Sequence, residues 1–236
     1  MRGLVLGVTL VLASGTAHAA APDPRACPPL KPQDTSERQR TKPLPVPTSV
    51  AVVMRSNLDR YAVSTLSGGI VCIDTREMED TQEDHALSAD QRFLSFTWSG
   101  YETGGFVVVD RSGKGQVVET GAAPKFSPAG KWMAAVEWSE SGFGTLNGFA
   151  VWQIFPEGLK EVVRLEDIPA MADWRIDYWN GESCVYLSAI SMDKVPDDPR
   201  EIGSVPRTRF IARELWMRAG GSTWKLEPAT KDCAFR

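Results

Sequence analysis

Two stretches of the chain share nearly the same pattern of residue types, and this repeat constrains the fold more than any other feature. Residues 87–96 read LSADQRFLSF, and residues 126–135, which lie 39 positions later, read FSPAGKWMAA. In each copy a small polar turn precedes a basic residue, an aromatic residue and a short apolar run. Trp-Ser and then a Gly-Phe strand follow in both copies. A period of about 40 residues predicts repeated four-stranded antiparallel units.

The rest of the chain from about residue 48 also has the texture of an all-β domain. Short apolar runs are separated by turn residues, and Asn180-Gly181 is a strong hairpin signal. Residues 209–218 are predicted to form a strand of a closing hairpin, with a short helix as the alternative. Further strands are predicted at residues 49–54, 61–66, 70–73, 174–179, 184–187 and 223–226. We therefore predict one β domain over residues 48–236.

The second copy of the repeat also resembles a known family. Its residues 126–132, FSPAGKW, are similar to the Ser-Pro-Asp-Gly-Lys blade signature of periplasmic propellers of the Tol-Pal translocation type and of WD-repeat-like proteins. The match departs from the signature at Ala129, and the first copy keeps Asp90 but lacks the proline and glycine. The resemblance implies a small or irregular β-propeller-like array of antiparallel sheets, with the aromatic residue packed between neighbouring sheets. A two-sheet β-sandwich is the alternative.

The N-terminus has the three zones of a secretory signal peptide. Arg2 precedes an apolar run that is too short to span a bilayer, and small residues end at Ala19. We expect residues 1–19 to be a signal peptide, so that the protein is periplasmic or secreted. Residues 20–47 hold half of the 16 prolines, which predicts an extended or disordered arm that acts as a solvated tether rather than as a ligand for a partner.

Charge and cysteine content narrow the classes of partner. Loss of Arg2 with the signal peptide would change the net charge from −4 to −5, which gives no electrostatic footprint for nucleic acid. No later segment is apolar enough to span a membrane. Four cysteines in an exported chain predict at least one disulfide, with three possible pairings. The candidates are Cys27, Cys72, Cys184 and Cys233.

The sequence contains no recognisable catalytic apparatus. His85 is the only histidine after the signal peptide, and we interpret it as a surface residue rather than a catalytic base. The acidic residues of 76–84 lack calcium-loop spacing, so a solvated loop is predicted there. Glu137, Asp173 and Asp177 lie near tryptophans that could stack on sugars, but core packing explains those tryptophans better. We assign no catalytic, metal or cofactor-binding residue, and we expect no cofactor.

The leading hypothesis is therefore a non-enzymatic exported β protein that binds another envelope component through loops on one rim. The alternatives are an envelope hydrolase that uses carboxylates on sugar or ester substrates, and a secreted inhibitor or immunity factor. The loop after the Trp-Ser pair is longer in the second repeat than in the first. Since the shared frame does not require the extra residues, we predict a binding loop formed by Glu140, Phe143, Thr145 and Asn147.

Overall fold

The computed structural model is all-β and contains four antiparallel sheets rather than the two of a sandwich. It describes residues 21–32, 40–82, 84–139, 142–198, 201, 206, 209–217 and 223–228. No helix within this described part is long and apolar enough to cross a bilayer. The all-β prediction is confirmed.

The first sheet has three strands and the second has five. The first contains β1 (Met54–Ser56), β2 (Arg60–Ser64) and β3 (Ile70–Asp74) in that order. The second contains β4 (Asp80–Thr81), β5 (Ala86–Leu87), β6 (Phe93–Ser99), β7 (Gly104–Asp110) and β8 (Gln116–Glu119). Both β4 and β5 pair with the same edge of β6, and β7 and β8 follow.

The third and fourth sheets are four-stranded meanders. The third contains β9 (Lys125–Phe126), β10 (Trp132–Glu137), β11 (Gly148–Phe155) and β12 (Gly158–Leu165). The fourth contains β13 (Met171–Asn180), β14 (Cys184–Ser191), β15 (Phe210–Met217) and β16 (Trp224–Pro228). The Asn180-Gly181 hairpin is thus confirmed, and β15 is a strand rather than the alternative helix.

The four sheets pack face to face in chain order, with one apolar core between each neighbouring pair. In the central strand β11, Phe149 and Val151 face the fourth sheet, while Ala150 and Trp152 face the second. All four are buried because side chains alternate across a strand that is covered on both faces. A third core joins the first sheet to the second through Tyr61 and Phe96, among others.

The two sequence repeats fold into the same strand–turn–strand unit. Leu87 pairs with Leu94 in the first copy, and Phe126 pairs with Met133 in the second, so both pairings shift by the same 39 positions. In each turn the serine Oγ accepts a hydrogen bond from the backbone N–H of the aromatic residue, at 2.8 and 3.1 Å. The following strands of the two copies also correspond in order.

The proline-rich arm is packed against the body, contrary to the solvated tether that its composition predicts. Leu44 is buried in the first core and Val46 packs against it. The Tyr61 hydroxyl donates to the Pro45 carbonyl at 2.8 Å. Composition indicates that the arm is extended, but it does not indicate whether a sheet face is available to receive it.

Residues 48–53 are a second difference, since they form turns rather than the predicted strand, and β1 begins only at Met54. Val50, Val53 and Met54 are all buried. Their spacing of three and four residues brings them to one side of a helical turn, in which the N–H of Met54 donates to the Val50 carbonyl at 3.0 Å. A short apolar run does not distinguish such a turn from a strand.

Candidate functional site

The predicted binding loop joins β10 to β11 and lies against the shorter loop that joins β6 to β7. Thr103 Oγ1 donates to the Phe143 carbonyl at 3.0 Å, and Gly104 forms a parallel bridge with Gly144. The longer loop of the third sheet therefore reaches across to the second sheet. We call the surface formed by these two loops the loop rim.

Glu137, the last residue of β10, holds the longer loop in shape. Its Oε2 accepts hydrogen bonds from the backbone N–H groups of Leu146 at 2.7 Å and Asn147 at 3.2 Å. Leu146 is 3% exposed and anchors the loop in the core between the second and third sheets. A Cβ at Gly144 would lie 2.9 Å from this carboxylate, so the loop passes close to it. The conformation of the loop is thus stabilised by hydrogen bonds to Glu137 and by the burial of Leu146.

The four predicted loop residues have different roles. Phe143 is 59% exposed. Thr145 is half-buried against Gly105, and its Oγ1 is buried without a hydrogen-bond partner among the described residues. Asn147 has φ +45, a conformation that asparagine tolerates better than most residues, and it shapes the loop. Glu140 lies outside the described residues.

The two loops enclose an open cleft of about 290 Å³. Tyr101 is 78% exposed and Phe143 is 59% exposed, so the two most exposed large apolar side chains of the described residues lie one on each loop of the rim. Three of the lining residues are glycines, so the backbone itself forms part of the cleft wall. The cleft is lined by Gly100, Glu102, Thr103, Gly104, Glu137, Ser139, Phe143 and Gly144.

Carboxylates give the loop rim a negative charge. Glu102 and Glu137 line the cleft, and Glu119 at the end of β8 lies close to Glu137. Loss of hydration, together with the negative charges of Glu77 and Glu137, raises the pKa of Glu119, although its side chain keeps contact with solvent. The two carboxylates that line the cleft, Glu102 and Glu137, favour a cation there.

No metal site accompanies this charge, since the described residues contain no group of three or more His, Cys, Asp or Glu side chains that could hold an ion. His85 is not the surface residue that the sequence indicates. It is 7% exposed and stacks on Phe96 with ring centroids 4.8 Å apart. Its position in the core also makes it unsuitable as a base for a substrate in the loop-rim cleft.

One predicted disulfide is present between Cys27 of the arm and Cys72 of β3, at 2.03 Å between sulfurs. It attaches the arm to the first sheet. Cys184, the first residue of β14, is also disulfide-bonded. Cys233 lies outside the described residues.

The sequence predicts the longer loop but not the other residues that surround the cleft. Glu137, Tyr101 and Glu102 were not predicted to take part in binding. Loop length and glycine content indicated the long loop, whereas the contribution of the short loop depends on the face-to-face packing of two sheets. No protein-family model, curated protein or solved structure matches the chain.

Proposed function

We propose that this is an exported, non-enzymatic protein that binds another component of the cell envelope through the loop-rim cleft. The observation that carries the proposal is that two exposed aromatic side chains, Tyr101 and Phe143, lie on the two loops that border a cleft lined by carboxylates. Exposed large apolar groups next to a concave surface are typical of interaction sites. The loop is preformed by its bonds to Glu137, so little order has to be gained on binding.

The chemistry of the cleft favours a partner protein that presents a basic side chain. A lysine or arginine of the partner would meet the carboxylates of Glu102 and Glu137, while its stem would lie along the aromatic rings. A cation over an aromatic ring adds about 0.5–1 kcal/mol at an exposed site. We expect Oε1 of Glu137 to accept the partner's hydrogen bond, because Oε2 already accepts hydrogen bonds from the backbone of the loop.

Export is supported by the signal-like N-terminus and by the disulfides, since disulfides persist in oxidising compartments. The propeller-like arrangement that the repeat suggests is consistent with sheets that pack in chain order and present loops along a shared rim.

Site-specific photo-cross-linking in living cells of the source organism tests the proposal. A benzoylphenylalanine at position 101 or 143 should form an adduct with the same partner protein, and Glu102→Lys should reduce the yield because it reverses the charge of the cleft. The matched control is the same cross-linker at Tyr178, which is 54% exposed but lies on the fourth sheet. No adduct from the two rim positions, or an equal adduct from position 178, would contradict the proposal.

A hydrolase is the second candidate, and the raised pKa of Glu119 near Glu137 favours it, because glycoside hydrolysis uses one protonated and one ionised carboxyl group. Against it, Glu119 does not line the cleft and Glu137 is engaged in holding the loop. Purified protein should release no product from envelope polysaccharides or esters. If the protein does turn over such a substrate and Glu119→Gln abolishes that turnover, the hydrolase proposal would replace the binding proposal.

A further inference from the structure

His85 lies in the core between the first and second sheets, on the segment that joins β4 to β5. Its ring is nearly parallel to Phe96 of β6, with an interplanar angle of 10°. Tyr61 of β2 meets the same ring edge-on, with centroids 6.2 Å apart. The histidine therefore contributes a flat apolar surface to the packing of the two sheets.

The hydrogen bonding of His85 is complete on one side of the ring only. Nδ1 lies 3.1 Å from the Gln82 carbonyl, which can only accept, so Nδ1 carries the proton in this arrangement. Nε2 is buried and has no partner among the described residues. A second proton on Nε2 would create a buried charged donor with no acceptor, which is costly.

The proline-rich arm attaches to the same cluster. Tyr61 is fully buried, and its hydroxyl donates to the Pro45 carbonyl. Leu44 lies in the core that contains Tyr61 and Phe96. Tyr61 therefore contacts both His85 and the arm residues 44–46.

We propose that His85 is an acid-sensitive latch: its neutral ring keeps residues 44–46 and the first sheet packed on the second sheet, and protonation of Nε2 opens this contact. The Cys27–Cys72 disulfide keeps the arm attached when the contact opens. Opening is therefore local and reversible.

The charged groups around His85 modulate this response. Burial lowers the pKa of His85, while the bond to Gln82 and the negative charge of Asp84 raise it by smaller amounts. Asp80 and Arg40 influence Tyr61, whose pKa burial raises, so Tyr61 stays neutral across the range of interest. Phe96 brings no charge from β6.

The direction of the pKa shift of His85 determines whether acid stabilises or opens the contact. The pKa of His85 is lower in the folded protein than its ordinary value of about 6.5. Its contribution to stability is complete above that ordinary value and decreases as the pH falls toward the folded pKa. Each unit of difference between the two corresponds to a tenfold change in the opening equilibrium.

Hydrogen exchange of the full-length mature protein, measured from pH 7.5 to pH 4.5 and corrected for intrinsic rates, tests the latch. We expect amides of residues 44–50 and 60–64 to lose protection severalfold as the pH falls, while β11 and β14 keep theirs. An even loss of protection over all sheets would overturn the proposal, because it would indicate global unfolding.

Two variants distinguish the effect of protonating His85 from the effect of changing how its ring packs. His85→Phe retains a ring for stacking, and His85→Asn retains an amide donor for the Gln82 carbonyl; neither titrates in this range. Both should abolish the local pH response, whatever their effect on stability at pH 7.5. A response that persists in both variants, or a measured imidazole pKa at or above the ordinary value, would overturn the latch.

Discussion

Glu182, in the hairpin between β13 and β14, accepts a hydrogen bond from the Ser127 hydroxyl at 2.6 Å. Its other oxygen accepts the backbone N–H of Ala129 at 2.7 Å. In the first repeat Asp90 accepts from the equivalent serine, Ser88, also at 2.6 Å. The fourth sheet therefore supplies the carboxylate that the second repeat lacks at Ala129.

Because Glu182 makes these two hydrogen bonds across the sheets, we expect Glu182→Ala to weaken the contact between the third and fourth sheets. Hydrogen bonds to a charged group contribute about 1.5–3 kcal/mol each when buried. These are partly exposed, so we expect a loss of about 1–2 kcal/mol in the free energy of unfolding, measured in urea. Adding Ala129→Asp should restore part of it, because the turn then has its own carboxylate.

The matched control is Glu157→Ala, which replaces an exposed glutamate in the hairpin between β11 and β12 of the third sheet. Its replacement should change stability by less than about 0.5 kcal/mol. If Ala129→Asp gives the same gain in the presence and absence of Glu182, the two carboxylates do not replace one another.

The same turns predict that glycine is the favoured residue at one equivalent position in both repeats. Gln91 has φ +60 and Gly130, its equivalent, has φ +65. A left-handed conformation strains a side chain, so Gln91→Gly should stabilise by about 0.5–1 kcal/mol and Gly130→Ala should destabilise by about 1 kcal/mol. Chemical denaturation of both variants measures this, and equal signs would show that the turns are not equivalent.

Asn147 adopts a similar left-handed backbone conformation in the predicted binding loop. Because its φ is +45, Asn147→Gly should leave the free energy of unfolding nearly unchanged, while Asn147→Ala should lower it by about 1 kcal/mol.

Phe143→Ser, in contrast, should leave the melting temperature unchanged, since the side chain is exposed. A drop in melting temperature for Phe143→Ser would indicate that the ring packs on the body.

The cysteine content predicts a second pair. Cys27 bonds Cys72, Cys184 is also bonded, and the sequence contains one further cysteine, Cys233. Peptide mapping without reduction should yield Cys27–Cys72 and Cys184–Cys233. Cys27→Ser with Cys72→Ser should lower the free energy of unfolding by about 2–4 kcal/mol, because the bond closes a long loop.

The repeat in the sequence was sufficient to predict an all-β chain and the position of the long loop. Alternating apolar residues identify β6 and β13 because each buries one face, and turn residues locate the hairpins. His85 was misinterpreted because a single polar residue carries no pattern. Its burial follows from the meeting of two sheets around Phe96.

What the sequence by itself determined was therefore local: the strands, the serine turns and the extended arm, all of which depend on neighbouring residues. The tertiary structure alone decided that Glu182 replaces a missing aspartate and that residues 44–46 fill the first core. It also brought the loops that carry Tyr101 and Phe143 together around one cleft. These relationships join residues far apart in the chain, and only the face-to-face packing of sheets determines which of them meet.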